Sequence, residues 1–181
     1  MKKLLAVGAA MAAMCAVGGE RIVFVGDSIT GQSRNHSEGF ARQLDAAYAA
    51  TIADAAARPV VVALGGSGQG VATWQSVELG SRTDKRTTLD VAGVYVGENL
   101  DQHADRLVIM LGMNDVLFPR FDFTPAGLAS WRTALKDLAD AVVARATPDA
   151  VYLASSCPCT EDPDGPRNRF MAALAGEVQS L

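Results

Sequence analysis

Four short runs of apolar residues punctuate this chain, at 22–25, 59–64, 107–111 and 150–154. Each run is continuous rather than alternating, the pattern of a strand buried on both faces of a parallel sheet. Between them the apolar residues recur at helical intervals. Within 37–55, Phe40, Leu44, Tyr48 and Ile52 return at every fourth position, which predicts an amphipathic helix. Thr124 and Pro125 read as an N-cap and a first helical position. The helix they open places Leu128, Trp131, Leu135, Leu138 and Val142 on one face, and Pro148 closes the segment. A last helix is expected from Pro166 through Phe170, Met171 and Leu174. Strands alternating with helices predict a doubly wound α/β sheet. The weakest pattern lies in 75–103, where 82–86 reads as a solvated loop and 90–96 as a short strand or an irregular crossing.

The N-terminus stands apart. Lys2 and Lys3 precede an uncharged, largely apolar stretch over 4–19, the order of charge and hydrophobicity in a secretory signal. Residues 1–19 are expected to be a signal peptide cleaved near Gly18 or Gly19, with 20–181 forming one secreted or periplasmic domain. A retained anchor is the competing reading, although the stretch is short for a membrane span. No later segment is apolar enough to act as one. A length of 181 residues is enough for one buried core. The net charge of −4, without a run of like charges, offers nothing to a nucleic acid backbone.

Cysteine and histidine usage argues against metal or redox chemistry. Of the three cysteines, Cys15 leaves with the signal, and Cys157 and Cys159 flank a single proline. A disulfide between such near neighbours is strained, so they read as free or packed thiols. The two histidines, His36 and His103, are far apart and do not have zinc-ligand spacing. The glycine-rich stretch 65–70 contains no G-x-G-x-x-G and is not followed by Gly-Lys-Ser/Thr, which argues against a phosphate loop. Neither metal nor cofactor is expected.

Each apolar run ends in a turn of small or polar residues: Gly26-Asp27-Ser28, Gly65-Gly66-Ser67-Gly68, Gly112-Met113-Asn114-Asp115 and Ser155-Ser156-Cys157. In a parallel sheet these turns share one edge, where such folds bind ligands. An acyl-transfer site needs a nucleophile and donors aimed at the developing oxyanion. Ser28 supplies a hydroxyl and its own N–H, Gly68 a second N–H, and Asn114 a side-chain amide. Each piece has a plainer reading: a Gly-Asp-Ser turn as a tight strand-to-helix connection, Asn114-Asp115 as a turn cap. The G-x-S-x-G elbow of α/β-hydrolases is absent.

Together, Gly26-Asp27-Ser28-Ile29-Thr30, Gly68 within Gly66-Ser67-Gly68, and Gly112-Met113-Asn114-Asp115 resemble the blocks of the SGNH (GDSL-type) hydrolases. The resemblance implies a three-layer flavodoxin-like sheet with helices on both faces. It implies Ser28 as nucleophile, an oxyanion hole of Ser28 N–H, Gly68 N–H and Asn114, and Asp27 and Asp115 in support. The implied reaction is hydrolysis of a small-molecule or carbohydrate ester, often an acetyl ester. The family's closing Asp-x-x-His block has no counterpart, since no histidine follows His103. The chain is therefore expected to be a C-terminally truncated member, lacking its last strand and helix and weakly active or inactive. His36, on the active edge, is expected to line the substrate pocket, and His103 to lie at the opposite edge. The rival reading is a non-catalytic carbohydrate-binding domain on the same fold, with Trp74 and Trp131 as sugar platforms, although Trp131 fits the apolar stripe better. A flavodoxin-like nucleotide binder is a third, disfavoured by the missing phosphate loop.

Overall fold

The structure, a computed structural model, describes residues 19–74, 96–156, 162 and 164–181. The expectations for the signal peptide, for 82–86, for most of the 90–96 crossing, and for Cys157 and Cys159 lie outside the described residues. Four strands form where the apolar runs predict, with ends shifted by at most two residues: β1 (Arg21–Asp27), β2 (Val60–Gly66), β3 (Arg106–Leu111) and β4 (Ala150–Ser155). Between and after them come α1 (Ser28–Gln32), α2 (Phe40–Thr51), α3 (Val71–Thr73), α4 (Val96–Leu100), α5 (Met113–Leu117), α6 (Pro125–Ala146) and α7 (Pro166–Ser180). The strands are all parallel, in the order β2-β1-β3-β4. Chain direction through the sheet reverses at β1, whose neighbours β2 and β3 lie on opposite sides. That makes the end of β1 the topological switch point.

Alternate side chains serve two cores. Ile22, Phe24, Val61 and Ala63 pack against Ala41 and Tyr48 of α2. Val23, Val25, Leu64, Leu107, Ile109 and Leu111 face the larger core, with Trp131, Leu135, Leu138 and Val142 of α6 and Phe170, Met171 and Leu174 of α7. Helices thus cover both faces, as the continuous apolar runs require. The α6 N-terminus forms as its sequence predicts. Thr124 Oγ1 accepts the Gly127 N–H at 3.2 Å, satisfying one of the donors a helix start leaves open. The helix ends at Thr147 in a left-handed conformation (φ 40°), and Pro148 cannot prolong it.

Three expectations need correction. Helix α2 is shorter than 37–55: Gly39 is its extended N-cap and Ile52 its extended C-cap. The Asp54 carboxylate accepts from Ala56 N–H at 3.0 Å, starting a separate 3₁₀ turn at Ala55–Ala57. Residue 96 begins a helix, α4, whose Leu100 is fully buried. Strand β4 is not buried on both faces, for Val151 and Tyr152 are 42% and 39% exposed. Among the described residues it pairs with β3 alone and so forms an edge of their sheet. Among the described residues no helix is long and apolar enough to cross a membrane.

Candidate active site

The site begins at the end of β1. Asp27 is the N-cap of α1, its Oδ1 accepting the Ile29 N–H at 2.9 Å. Ser28 is therefore the first helical residue, half-buried, and its hydroxyl has no hydrogen-bond partner among the described residues. The second turn runs from Gly66 to Gln69, whose N–H donates to the Gly66 carbonyl at 3.1 Å. Its third residue, Gly68, has φ +71°, as a type II turn requires. A Cβ added at Gly68 would meet nothing within 4 Å, so this α-carbon faces open space. The third turn enters α5, where Asn114 and Asp115 are buried.

Sheet register and one amide draw these turns together. Asp27 stands opposite Gly66 across β1 and β2, and Gly26 opposite Met110 across β1 and β3. The Asn114 Nδ2 donates to the Gln69 carbonyl at 2.9 Å and lies 3.4 Å from Asp27 Oδ2. The amide thus touches both the serine turn and the glycine turn. The turns of Ser28, Gly68 and Asn114 thus stand at one end of the sheet, with Asp27 and Asn114 87 residues apart in sequence.

Beneath them lies a polar layer that sequence reasoning missed, apart from Asp115. Asp115 is fully buried; its Oδ2 accepts from Val71 N–H at 3.0 Å and from Trp131 Nε1 at 3.1 Å. Arg120 Nη2 donates to the Gly68 carbonyl at 2.8 Å, and its Nη1 lies 3.9 Å from Asp115 Oδ1. Trp74 Nε1 donates to the Gly26 carbonyl at 2.7 Å. Both tryptophans are fully buried, which overturns the reading of Trp74 as a sugar platform and agrees with Trp131 as part of the apolar stripe. Burial pushes the Asp115 carboxyl above the usual carboxylate range, against the lowering effect of its Val71 and Trp131 hydrogen bonds and of Arg120. Burial also raises Asp27, with a contribution from the nearby Asp115 charge, while N–H groups of its own turn oppose the shift.

Neither histidine hydrogen-bonds to Ser28. His36 is exposed in the loop after α1, where its Nδ1 accepts the Glu38 N–H at 3.2 Å. His103 lies just before β3, at the sheet edge away from Ser28, with Nε2 3.5 Å from Asp149 Oδ2. His103, Asp105 and Asp149 bring their ligand atoms within 4.8 Å of one another. They read as a surface ion-pair cluster, since Asp105 also accepts from Arg21 N–H at 2.5 Å.

The family model of the GDSL-like lipases and acylhydrolases matches residues 24–181. No curated protein matches the sequence at a significant level. Among solved structures, the fold is similar to an acetylxylan esterase from Geobacillus stearothermophilus, with TM-score 0.59 and 19% identity, covering 92% of this chain and 73% of that one. It is also similar to an alpha/beta hydrolase from the metagenome of Lake Arreo, Spain (TM-score 0.57, 19% identity, 91% and 73% covered). A third likeness is to the acetyl xylan esterase AlAXEase (TM-score 0.57, 14% identity, 88% and 73% covered).

Proposed function

Since the chain belongs to the GDSL-like lipase/acylhydrolase family, and so to the carboxylic ester hydrolases, we propose that Ser28 is its nucleophile and that its substrates are small acyl esters, acetyl esters of carbohydrates foremost. The observation that carries this reading is the Asn114 amide, bonded to Gln69 on one side and facing Asp27 on the other. It ties the turn that carries Ser28 and the turn that carries Gly68 to its own. The carbohydrate acetyl ester is supported by the acetyl xylan esterases to which the fold is similar.

In this reaction the Ser28 Oγ attacks the ester carbonyl carbon. The carbonyl oxygen gains negative charge, and donors placed for it lower the barrier. Gly68 N–H has no acceptor among the described residues and is free to be one donor; Ser28 N–H is the second. Asn114 has two amide hydrogens, one held by the Gln69 carbonyl. The other faces Asp27 across 3.4 Å, long for a hydrogen bond, and is the one to turn to the oxyanion. The alcohol then leaves, and water hydrolyses the acyl–Ser28 ester.

The serine proton needs a base, and neither histidine of these 181 residues serves Ser28. Assayed as these 181 residues alone, the chain is expected to turn over weakly. Serine proteases stripped of triad residues keep about 10³–10⁴-fold over water from binding and the oxyanion hole. The test is acetate release from p-nitrophenyl acetate and from acetylated xylo-oligosaccharide, by wild type and Ser28→Ala. Slow turnover that disappears with Ser28 supports the reading, and equal rates in the two proteins refute it.

A further inference from the structure

The Gly66–Gln69 turn is held from three sides. Its own Gln69 N–H closes on Gly66, Asn114 holds the Gln69 carbonyl, and Arg120 Nη2 holds the Gly68 carbonyl at 2.8 Å. Glycine is the residue with the most backbone freedom to lose, so the peptide units on either side of Gly68 are those most prone to swing. The Gly68 carbonyl has the Arg120 guanidinium as its only hydrogen-bond donor among the described residues.

Arg120 is itself fixed from below. The 115–120 segment folds back on itself, with Arg120 N–H donating to the Asp115 carbonyl at 3.3 Å. This brings Arg120 Nη1 to 3.9 Å from Asp115 Oδ1. Those two atoms are both buried, and neither has a hydrogen-bond partner among the described residues, so each is the other's nearest compensation for lost hydration. Asp115 cannot turn away, because Val71 N–H and Trp131 Nε1 hold its second oxygen. Gly70 leaves the room that this pair occupies: a Cβ there would overlap Asp115 Oδ1 and approach Arg120 Nη1 to 2.7 Å.

We propose that Arg120 is a positioning residue, a clamp anchored on Asp115 that grips the Gly68 carbonyl and so keeps the Gly68 N–H aimed at the oxyanion. This rests on the ester-hydrolase reading and deepens it. The clamp needs a planar fork with separate donors for Gly68 and Asp115, which arginine has and a single ammonium approximates only in part. Arg120 acts through Gly68 and does not touch the substrate, so its loss acts on the chemical step rather than on binding.

Two measurements on the full chain test it. In p-nitrophenyl acetate turnover, Arg120→Ala is expected to lower the Ser28-dependent kcat by about tenfold or more, a large part of the loss of one oxyanion donor, with KM within twofold. Arg120→Lys, which keeps a donor for the carbonyl, is expected to recover part of that loss. A folded Arg120→Ala variant with wild-type kcat, or one that changes KM alone, overturns the proposal. In ¹⁵N-labelled protein, the Gly68 and Gln69 amide resonances are expected to shift or broaden in Arg120→Ala, while those of α2, packed on the other face of the sheet, keep their wild-type positions. Unchanged Gly68 and Gln69 resonances overturn the clamp whatever the kinetics show. Wild-type turnover no faster than Ser28→Ala would instead strike at the hydrolase reading itself, which separates the two failures.

Discussion

Replacing Asn114 by alanine should damage catalysis far more than folding. The side chain is 6% exposed and donates to the Gln69 carbonyl at 2.9 Å. Removing it leaves that carbonyl short of a donor, at about 1–3 kcal/mol for a buried unsatisfied group. For a chain of this size, each kcal/mol lowers Tm by roughly 2–4 °C, so the expected drop is about 2–12 °C. Domains typically have about 5–15 kcal/mol of stability, and the variant stays folded at 25 °C unless wild type lies at the bottom of that range. The catalytic loss is that of one oxyanion donor, about 2.7–4 kcal/mol or 10²–10³ in kcat. The assay is the Ser28-dependent part of p-nitrophenyl acetate turnover at 25 °C, paired with urea unfolding of the same preparation. Asn114→Asp serves as the second variant, since it keeps the shape but loses the amide donor beside Asp27. A loss of less than about fivefold in folded protein is too small for an oxyanion donor and would remove Asn114 from the reaction.

Trp131→Phe deletes the indole donor to Asp115 and should cost about 1.5–3 kcal/mol, the range for a hydrogen bond to a charged group, read by urea unfolding; a cost near zero would contradict the polar layer under the site. Gly68→Ala forces a side chain into φ +71° with open space around it, so it should lose about 1–2 kcal/mol without a steric clash, and an unchanged unfolding midpoint would be inconsistent with the turn. Burial raises the Asp27 carboxyl in the folded state above its unfolded value of about 3.9. Between those values the native state binds the extra proton, so this group's contribution to stability falls as pH rises through the folded value. Asp27→Asn, which does not titrate, should therefore gain on wild type as pH rises from about 4, and a stability difference independent of pH would refute burial as the dominant cause. A signal peptide at residues 1–19 predicts that protein recovered outside the cytoplasm begins near residue 19 or 20 by N-terminal sequencing, and export with Lys2 and Lys3 still attached would contradict that reading.

The strands were legible because a parallel sheet buries whole runs, and Val23 and Phe24 are apolar in succession although they face different cores. Helix α6 was legible because Thr124 and Pro125 mark its start locally. The turns after the strands were legible for a related reason: a buried run that ends in small or polar residues marks where the chain leaves the sheet. What stayed hidden depends on contacts remote in sequence. Arg120 meets Gly68 across 52 residues, and Asp115 meets Val71 across 44, with no local spacing to signal either. The exposure of β4 escaped notice because Val151 and Tyr152 look like any strand interior until strand order is known. Trp74 shows the same limit, since residue type says nothing about whether an indole faces sugar or a buried carbonyl. The short α4 lacks a periodic pattern long enough to read.

A nucleophilic Ser28 is tested most directly by peptide mass spectrometry of the protein after incubation with a fluorophosphonate probe and, separately, with p-nitrophenyl acetate. It predicts a phosphonyl or acetyl adduct on Ser28 that is absent from Ser28→Ala and reduced in Asn114→Ala. Labelling on another residue, or none on Ser28 while the protein is folded, would contradict it.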